Sequence, residues 1–436
     1  MLDLNFIREH PEIVKEHLVN RGNDSLVVDE LLHLDSTWRL LKGEIDDLRH
    51  KRNKITLEIT KLSKEKKDIS SLIKKAKDLP QEIKSLEEKL NELKTNIDLI
   101  HKNIPNLVDK SVPLGDASKN KIIETYGKIP KFKFKPKDHV DILEPLDLLD
   151  TQTASNVAGS RFYYLKGDLV RLNYALLCLA LDFLKQKGFT LIQPPFMLRK
   201  NVLEGAIPFT AFEEMIYKIE GEDLYLIGTA EHAINAYYYH KEIPALKLPL
   251  RFAGISTCFR KELGAHGKDT KGIFRVHQFE KVEQFVFCKP KDAWKEFDLI
   301  LNNSKQLLKA LEIPFRFVVL SSQEMGRVPT KTIDFECFFP SQNTYRELGS
   351  CSNCTDYQSR RSTIRYQEDN ELKFVYTLNN TAISTARMMD CFVDNHQQAD
   401  GSIRIPKALW KYTGFKEIKS LRKDGSSKKK IKKSTK

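Results

Sequence analysis

The architecture follows most directly from residues 252–288, FAGISTCFRKELGAHGKDTKGIFRVHQFEKVEQFVFC, which predict a strand, a long polar loop and a second strand. Alternate residues of a strand face the same side of a sheet, so Arg260 and Glu262 share a face. One face of the second strand carries Arg275, His277, Phe279 and Glu283. Such a hairpin gathers cations, carboxylates and an aromatic ring on one surface. Alternation alone favours a simpler alternative, an exposed polar face with cross-strand ion pairs.

The surrounding segments predict a mixed α+β body. One amphipathic helix carries its apolar face on Leu169, Leu172, Leu176, Leu177, Ala180 and Leu184. Short strand-like runs follow at residues 188–196, 224–229, 250–259, 282–288 and 315–320. Because strands and helices do not alternate regularly, we expect an antiparallel sheet with flanking helices and not a parallel sheet.

Two heptad seams occupy residues 31–104. The first runs from Leu31 to Leu62 and the second from Ile69 to Ile104, with apolar residues spaced alternately three and four apart, Arg52 excepted. A polar stretch, SKEKKDIS, separates them. Two narrow apolar stripes joined this way bury each other best as an antiparallel coiled coil, roughly 50 Å long at 1.5 Å per residue. Pro80 predicts an interruption near the start of the second helix.

These patterns divide the chain into four predicted parts. Residues 1–110 form an N-terminal domain whose coiled-coil arm spans about 28–104. Residues 111–140, punctuated by proline and glycine, form a linker, and residues 141–415 form the α+β domain. The lysine-rich residues 416–436 form a disordered tail.

Composition narrows the class of protein. The 436-residue chain has a net charge of +13, which favours an acidic partner such as nucleic acid. Seven cysteines in so long a chain do not indicate a disulfide framework. The longest apolar run, residues 174–181, is too short to cross a membrane, and the N-terminus resembles neither a secretory signal nor a transit peptide. We therefore expect a soluble, cytoplasmic protein without a membrane partner.

Several common ligand motifs are missing from the sequence. No GxGxxG follows a strand, and no GxxxxGK[ST] loop is present. Cys351 and Cys354 form a lone CxxC, whereas structural zinc needs two further ligands at suitable spacing. We expect no zinc.

The order of motifs resembles the seryl-tRNA synthetases, a class II aminoacyl-tRNA synthetase family, especially their archaeal and eukaryotic branch. FRKE at 259–262 matches the FRxE element, and TAE at 229–231 is similar to the serine-binding element. GFTLIQPPF at 188–196 resembles motif 1, which forms the dimer interface in that family. Residues 345–350, YRELGS, resemble the ATP/Mg²⁺ strand, and SNCTDYQSRR follows them as in that family. Residues 377–397, TLNNTAISTARMMDCFVDNHQ, resemble motif 3. The resemblance covers about residues 1–415.

The resemblance implies how the phosphates of ATP are held. Arg260 takes the α-phosphate, and Arg275 and Arg387 hold the outer phosphates, with Arg260 and Arg387 as the catalytic residues. Attack of a carboxylate on a phosphate brings two anions together, so cations must stabilise the transition state. A guanidinium suits this role because it donates two parallel hydrogen bonds.

The same resemblance implies the contacts to adenine and to Mg²⁺. Phe279 stacks on the base, and Glu262 reads its edge together with the backbone of Val276. Glu347 and Ser350 supply the oxygen ligands that Mg²⁺ prefers. The remaining ATP-binding positions are Lys261, Leu348 and Gly349.

A third set of residues is implied to select serine. Glu231 and Glu283 face the ammonium group, and the other serine-binding positions are Thr229, Ala230, Arg260, Asn379 and Thr381. A niche that hydrogen-bonds the hydroxyl rejects alanine, because polar groups would then stay unpaired. Motif 3 is usually glycine-rich before its arginine, yet residues 379–386 contain no glycine. Which of Asn379, Asn380 and Thr381 contacts the hydroxyl therefore stays open.

The implied activity is that of a serine–tRNA ligase, which makes seryl-adenylate from L-serine and ATP and transfers serine to the 3′ end of tRNA(Ser). It is expected to act as a homodimer and to bind the tRNA through the arm, by shape and phosphate position. The candidate phosphate contacts at the arm tip are Lys64, Lys66, Lys67, Lys74 and Lys75. Two alternatives remain: a catalytically silent paralogue that binds nucleic acid, and a ligase that charges a carrier protein. The intact Arg260 and Glu283 disfavour the first, and the unbroken heptads disfavour the second.

Overall fold

The computed structural model describes residues 1–263, 269 and 271–419, without the side chains of Thr210 and Ala211. Residues 420–436 of the predicted tail lie outside the described residues. The helices are α1 (Leu4–Glu9), α2 (Pro11–Asn20), α3 (Leu26–Lys64), α4 (Ser70–Asn103), α5 (His139–Leu143), α6 (Thr151–Ala158), α7 (Asp168–Gln186), α8 (Lys200–Ala206), α9 (Phe209–Phe212), α10 (Ala230–Tyr237), α11 (Ala293–Ala310), α12 (Tyr357–Ser362), α13 (Thr385–His396) and α14 (Trp410–Thr413). The strands are β1 (Lys121–Tyr126), β2 (Leu149–Asp150), β3 (Tyr164–Leu165), β4 (Thr190–Ile192), β5 (Met197–Leu198), β6 (Tyr225–Leu226), β7 (Leu250–Phe259), β8 (Gln278–Cys288), β9 (Phe315–Val319), β10 (Lys331–Phe339), β11 (Thr344–Asn353), β12 (Arg365–Glu368), β13 (Glu371–Phe374), β14 (Tyr376–Ser384), β15 (Ile403–Arg404) and β16 (Glu417–Ile418).

One eight-stranded sheet organises the body, in the order β1-β9-β10-β11-β14-β8-β7-β4. Neighbouring strands run antiparallel except for β4 and β7, which pair in parallel through Thr190 and Phe252. The predicted α+β class with an antiparallel sheet is therefore confirmed. Strand β1, which falls within the predicted linker, pairs with β9 and forms one edge of this sheet.

Helices cover both faces of the sheet. On one face α7, α11 and α13 bury an apolar core that includes Leu172, Ile300 and Phe392. On the other face α10 packs closely against β7. A Cβ at Gly254 would lie 2.9 Å from the Cβ of Ala230 and 2.6 Å from Cδ1 of Ile234, so glycine permits this close approach. The close packing fixes the start of α10 beside the strands.

The long helices α3 and α4 form the predicted antiparallel arm. Leu31, Ile45 and Ile55 of α3 are buried along the seam, as are Leu79 and Ile83 of α4. The side chains of Arg49 and Glu87 form an ion pair across the two helices at 2.8 Å.

The predicted interruption at Pro80 is wrong, because α4 runs unbroken from Ser70 to Asn103. Leu79 and Ile83, on either side of the exposed Pro80 ring, are both buried. The packing of these side chains in the arm offsets the cost of the one backbone hydrogen bond that proline cannot donate.

The base of the arm is attached to the body by specific polar contacts. The guanidinium of Arg21 donates to the carbonyls of Gly326 and Pro329 at 2.9 and 2.6 Å. Tyr357 donates its hydroxyl proton to the carbonyl of Ile104 at 2.8 Å. Among the described residues, no helix combines the length and the hydropathy needed to cross a bilayer.

Candidate active site

The central strands β8, β11 and β14 converge with the end of β7 and the starts of α10 and α13 around one cavity. Its volume is about 720 Å³, including the open mouth. The cavity is lined by Thr229, Glu231, Arg260, Glu262, Phe274, Arg275, Val276, Phe279, Lys281, Glu283, Glu347, Leu348, Gly349, Ser350, Asn379, Thr381, Ser384, Ala386 and Arg387. Most of the polar face predicted for this hairpin is therefore the wall of a cavity and not an exposed surface. His277 does not line the cavity, and Arg260, Glu262 and Arg275 lie just beyond the ends of β7 and β8.

Strand register decides which motif 3 residues reach the cavity. Thr381 pairs with Glu283, and both side chains line the cavity. Asn380 faces the opposite side of the sheet, where its amide donates to Ser304 of α11 at 2.9 Å. The departure from a glycine-rich motif is accommodated because Asn380 fills a polar position under α11.

A β-bulge places Glu347 and Ser350 on the same face of the sheet. Glu347 pairs with Glu336 and Gly349 with Phe335, which leaves Leu348 as the extra residue of β11. Residues three apart on a regular strand face opposite sides, and the bulge removes this difference.

The bulge also crowds carboxylates on this face. Burial, together with the neighbouring Glu347 and Glu336, raises the pKa of Asp334 to about 8. Two side-chain oxygens, on Glu347 and Ser350, and an excess of negative charge form a donor set that suits Mg²⁺.

Three cations of the cavity are paired with carboxylates. Arg275 binds Glu262 at 2.8 Å, Arg387 binds Glu347 at 3.1 Å, and a further ion pair forms between Lys281 and Glu283. Arg260 differs from these three. Its Nε donates to the carbonyl of Gly228 at 3.2 Å, and its guanidinium lies 5.3 Å from the centre of the Phe279 ring.

Within residues 1–263, 269 and 271–419, no carboxylate forms an ion pair with Arg260. Among the described residues its guanidinium is therefore not engaged in an ion pair and can bind an anionic ligand.

The floor of the cavity holds a second carboxylate near Glu283. Glu231 accepts a hydrogen bond from Gln358 of α12 at 2.6 Å, and Thr229 donates to Glu283 at 3.4 Å. Burial and the nearby negative charge of Glu283 raise the pKa of Glu231 to about 7. This floor suits a small ligand that carries a positive group, because a cation would relieve the repulsion between the two carboxylates.

Two predicted site residues lie outside the lining of the cavity. Ala230 is fully buried beside Gly254 and packs α10 against β7. Lys261 points toward Tyr217, with its ammonium 5.7 Å from the ring centre. The other predicted serine and ATP positions all line the cavity, and their individual roles stay predictions.

The cavity also contains residues that sequence reasoning missed, namely Phe274, Lys281, Ser384 and Ala386. Lys281 shares strand parity with Phe279 and Glu283, so alternation was a signal that could have found it. Ser384 had no such signal, because a second irregularity between Thr381 and Ile383 shifts the register of β14.

The five lysines predicted at the arm tip are exposed at the ends of α3 and α4 and in the turn between them. Lys67 forms an ion pair with Glu65 at 2.7 Å. Within the described part of the chain, no group of three or more His, Cys, Asp and Glu side chains is arranged to hold a metal ion.

Comparison with known proteins identifies the family. The profile of the seryl-tRNA synthetase N-terminal domain matches residues 1–108, and that of the class II tRNA synthetase core domain (G, H, P, S and T) matches residues 214–396. A serine–tRNA ligase of Pyrococcus horikoshii is 45% identical over 97% of this chain and 98% of its own length. The chain belongs to the seryl-tRNA synthetase family. A second archaeal member, from Nitrosopumilus maritimus, is 44% identical over 95% of this chain and 99% of its own.

Solved structures of seryl-tRNA synthetases agree with the fold. The enzyme of Pyrococcus horikoshii complexed with ATP superposes with a TM-score of 0.89, covering 96% of this chain and 99% of that one at 45% identity. The cytoplasmic enzyme of Naegleria fowleri, in complex with AMP, gives a TM-score of 0.84 at 38% identity, covering 97% and 99% of the two chains. This member of the family is thus a class II aminoacyl-tRNA synthetase with the long N-terminal helical arm.

Proposed function

We propose that the cavity activates L-serine with ATP to seryl-adenylate and that serine is then transferred to the 3′ end of tRNA(Ser). The observation that supports this most is Arg260, a guanidinium at the cavity wall that has no carboxylate partner among the described residues. Its position suits the α-phosphate, where negative charge develops as the serine carboxylate attacks. No general base is required, because that carboxylate is already ionised at neutral pH.

The paired cations suit the outer phosphates of ATP. Arg275 and Arg387 are neutralised by Glu262 and Glu347. When the β- and γ-phosphates bind, each arginine gains a more highly charged partner. Glu262 is then released and can accept a hydrogen bond from the amino group of adenine. We assign the stacking surface for the base to Phe279.

Mg²⁺ fits the carboxylate face created by the bulge. Glu347 and Ser350 would hold it, and the ion would offset the crowding that raises the pKa of Asp334. When bound, Mg²⁺ supplies charge neutralisation for the outer phosphates. The protein side chains keep the tasks of orienting ATP and placing its α-phosphate beside Arg260.

Serine is selected by charge at one end and by hydrogen bonding at the other. Glu283 and Glu231 attract the ammonium group, and Lys281 releases Glu283 when the ammonium group takes its place. The side chains of Asn379 and Thr381 line the same cavity and suit the substrate hydroxyl. Alanine would leave these polar groups unpaired, which makes it a poor substrate.

The arm and the dimer complete the proposed enzyme. We assign tRNA binding to the arm, whose exposed tip lysines contact phosphates of the substrate, and we propose a homodimer formed through the region of α7 and β4. In the transfer step the terminal hydroxyl of the tRNA attacks the seryl carbonyl, and AMP leaves. The division into four parts and the cytoplasmic location stay predictions.

Two assays test this function. Serine-dependent exchange of pyrophosphate into ATP measures the activation step, and transfer of radiolabelled serine to tRNA measures the second step. A silent paralogue would show neither activity. A ligase for a carrier protein would show exchange without transfer to tRNA, so either outcome would replace the proposal.

A further inference from the structure

A row of lysines occupies residues 128–137, KIPKFKFKPK, between the edge strand β1 and helix α5. We call this segment the lysine row; its cations are Lys128, Lys131, Lys133, Lys135 and Lys137, and it contains no acidic residue. All five lysines are exposed, whereas Phe132, Phe134 and Pro136 between the last four are half-buried. The chain bends at Lys133 and Phe134, and exposed lysines alternate with half-buried residues from Lys131 to Lys137.

The lysine row has no ion-pair partner within the described part of the chain. Among the described residues, no carboxylate forms an ion pair with any of the five lysines. The nearest acids in sequence are engaged elsewhere: Asp138 accepts from the backbone of Val140 at 3.0 Å, and Asp141 pairs with Lys271 at 2.7 Å. Closely spaced like charges repel one another, and a polyanion lying along the row relieves that repulsion.

The C-terminal end of the row is attached to the elements that carry the phosphate-binding arginines. The backbone N–H of Lys137 donates to the side chain of Gln397 at 2.9 Å, and Gln397 donates back to the Lys137 carbonyl at 2.9 Å. Gln397 follows α13, whose first turn contains Arg387.

Two residues after Lys137, the ring of His139 accepts from the backbone N–H of Ile273 at 3.1 Å. Ile273 lies on the segment that leads to Arg275. The end of the row is therefore fixed relative to the active-site cavity through both of its phosphate-binding segments.

We propose that the lysine row binds the phosphate backbone of the acceptor branch of tRNA while its 3′ end enters the cavity. This inference rests on the proposed function. Several lysines on one short segment can contact neighbouring phosphates of the same RNA strand. Lysine ammonium groups give contacts that position the RNA without reading its bases.

The experiment uses the full-length protein with Lys131→Gln, Lys133→Gln and Lys135→Gln combined. The matched control removes the same charge from three exposed lysines elsewhere, through Lys291→Gln, Lys295→Gln and Lys407→Gln. Binding is measured over a range of salt concentrations to tRNA(Ser) and to an RNA minihelix of the acceptor branch alone. Serine-dependent pyrophosphate exchange is measured in parallel and reports on the fold and on the proposed function.

We expect the row variant to retain exchange and to bind both RNAs at least about tenfold more weakly at low salt. The slope of log Kd against log salt should fall by about two, since each lost phosphate contact removes roughly 0.7–0.9. Replacing the same lysines with arginine should preserve binding. Minihelix binding equal to that of the control variant would overturn the inference. Absence of exchange in the wild type would instead refute the proposed function.

Discussion

Gln358 donates a hydrogen bond to Glu231 at 2.6 Å, and this contact joins helix α12 to the floor of the active-site cavity. The carbonyl of the same Gln358 amide accepts from Thr377 at 2.6 Å, so the donor is held in one orientation. The neighbouring Tyr357 contacts the base of the arm through Ile104. One short helix therefore touches both the proposed serine site and the root of the arm.

The raised pKa of Glu231 predicts a pH-dependent use of serine. Below its pKa of about 7 the carboxyl is neutral and attracts the substrate ammonium weakly. We expect kcat/KM for serine in the exchange assay to rise as pH increases through 7, while the ammonium group of serine stays charged. Glu231→Gln should remove this rise and leave a low, flat profile between pH 6 and 8. A profile that keeps its rise in the variant would show that another group titrates.

The same pKa shift has an opposite consequence for stability. Burial raises the pKa of Glu231 from 4.5, so the folded protein binds more protons than the unfolded chain between pH 4.5 and 7. Stability therefore falls as pH rises through that window. Glu231→Gln removes the penalty of a buried charge, and its melting temperature at pH 8 should exceed that of the wild type. A lower melting temperature at pH 8 would mean that contacts to the ionised carboxylate outweigh its desolvation.

Gln358→Leu tests the donor to Glu231 directly. Loss of the hydrogen bond disfavours the ionised carboxylate, so the pH at which serine use rises should shift upward from about 7. Serine KM at pH 7 should increase, with ATP KM nearly unchanged. The Thr377 hydroxyl also loses its acceptor in this variant, so Thr377→Val serves as the control. A midpoint that shifts equally in both variants would assign the effect to packing.

Arg260→Lys keeps the positive charge and removes the bidentate geometry. We expect serine-dependent exchange to fall by at least about 100-fold, the scale of losing one preorganised transition-state donor. The melting temperature should change little, since the described contacts of this side chain are a single hydrogen bond to Gly228 and the face of Phe279. Activity within a few-fold of the wild type would place the α-phosphate elsewhere.

Glu283→Gln removes a negative charge from the proposed serine site and keeps its shape. Serine KM should rise far more than ATP KM, because the ammonium group loses its partner. Glu280→Gln is the matched control on the same strand; Glu280 contacts Asn173 and Thr385 and does not line the cavity. Equal increases in both KM values for Glu283→Gln would indicate a structural role in β8.

Deleting about residues 40–95 and closing the gap with a short turn tests the arm. The cluster at its base, which includes Leu18, Leu31 and Ile97, is retained, so the body should stay folded. Exchange should survive nearly intact, whereas charging of tRNA should collapse through lost affinity.

A milder change tests the tip of the arm alone. Replacing the five tip lysines with glutamine should weaken tRNA binding and flatten its salt dependence. These lysines are Lys64, Lys66, Lys67, Lys74 and Lys75. Unchanged charging in the deletion variant would refute this account of tRNA selection.

The arm could be predicted almost completely from the sequence. A heptad seam such as that from Leu31 to Leu62 is a local pattern, and two such seams have few ways to bury themselves other than against each other. Pro80 was the exception, because a local rule predicted an interruption while packing by Leu79 and Ile83 preserved the helix. Strand alternation likewise predicted that Arg260, Phe279 and Glu283 would gather on one surface.

Tertiary structure decided what that surface is and which further groups belong to it. Glu347 and Ser350 share a face only because a bulge at Leu348 interrupts the pairing of β10 and β11. Gln358 reaches Glu231 although 127 residues separate them in the chain. No periodicity within one segment encodes such relationships, since they depend on how distant strands are paired and on which helix covers the floor. Periodic patterns specify the elements and their faces, whereas strand register and helix packing place the individual side chains around the cavity.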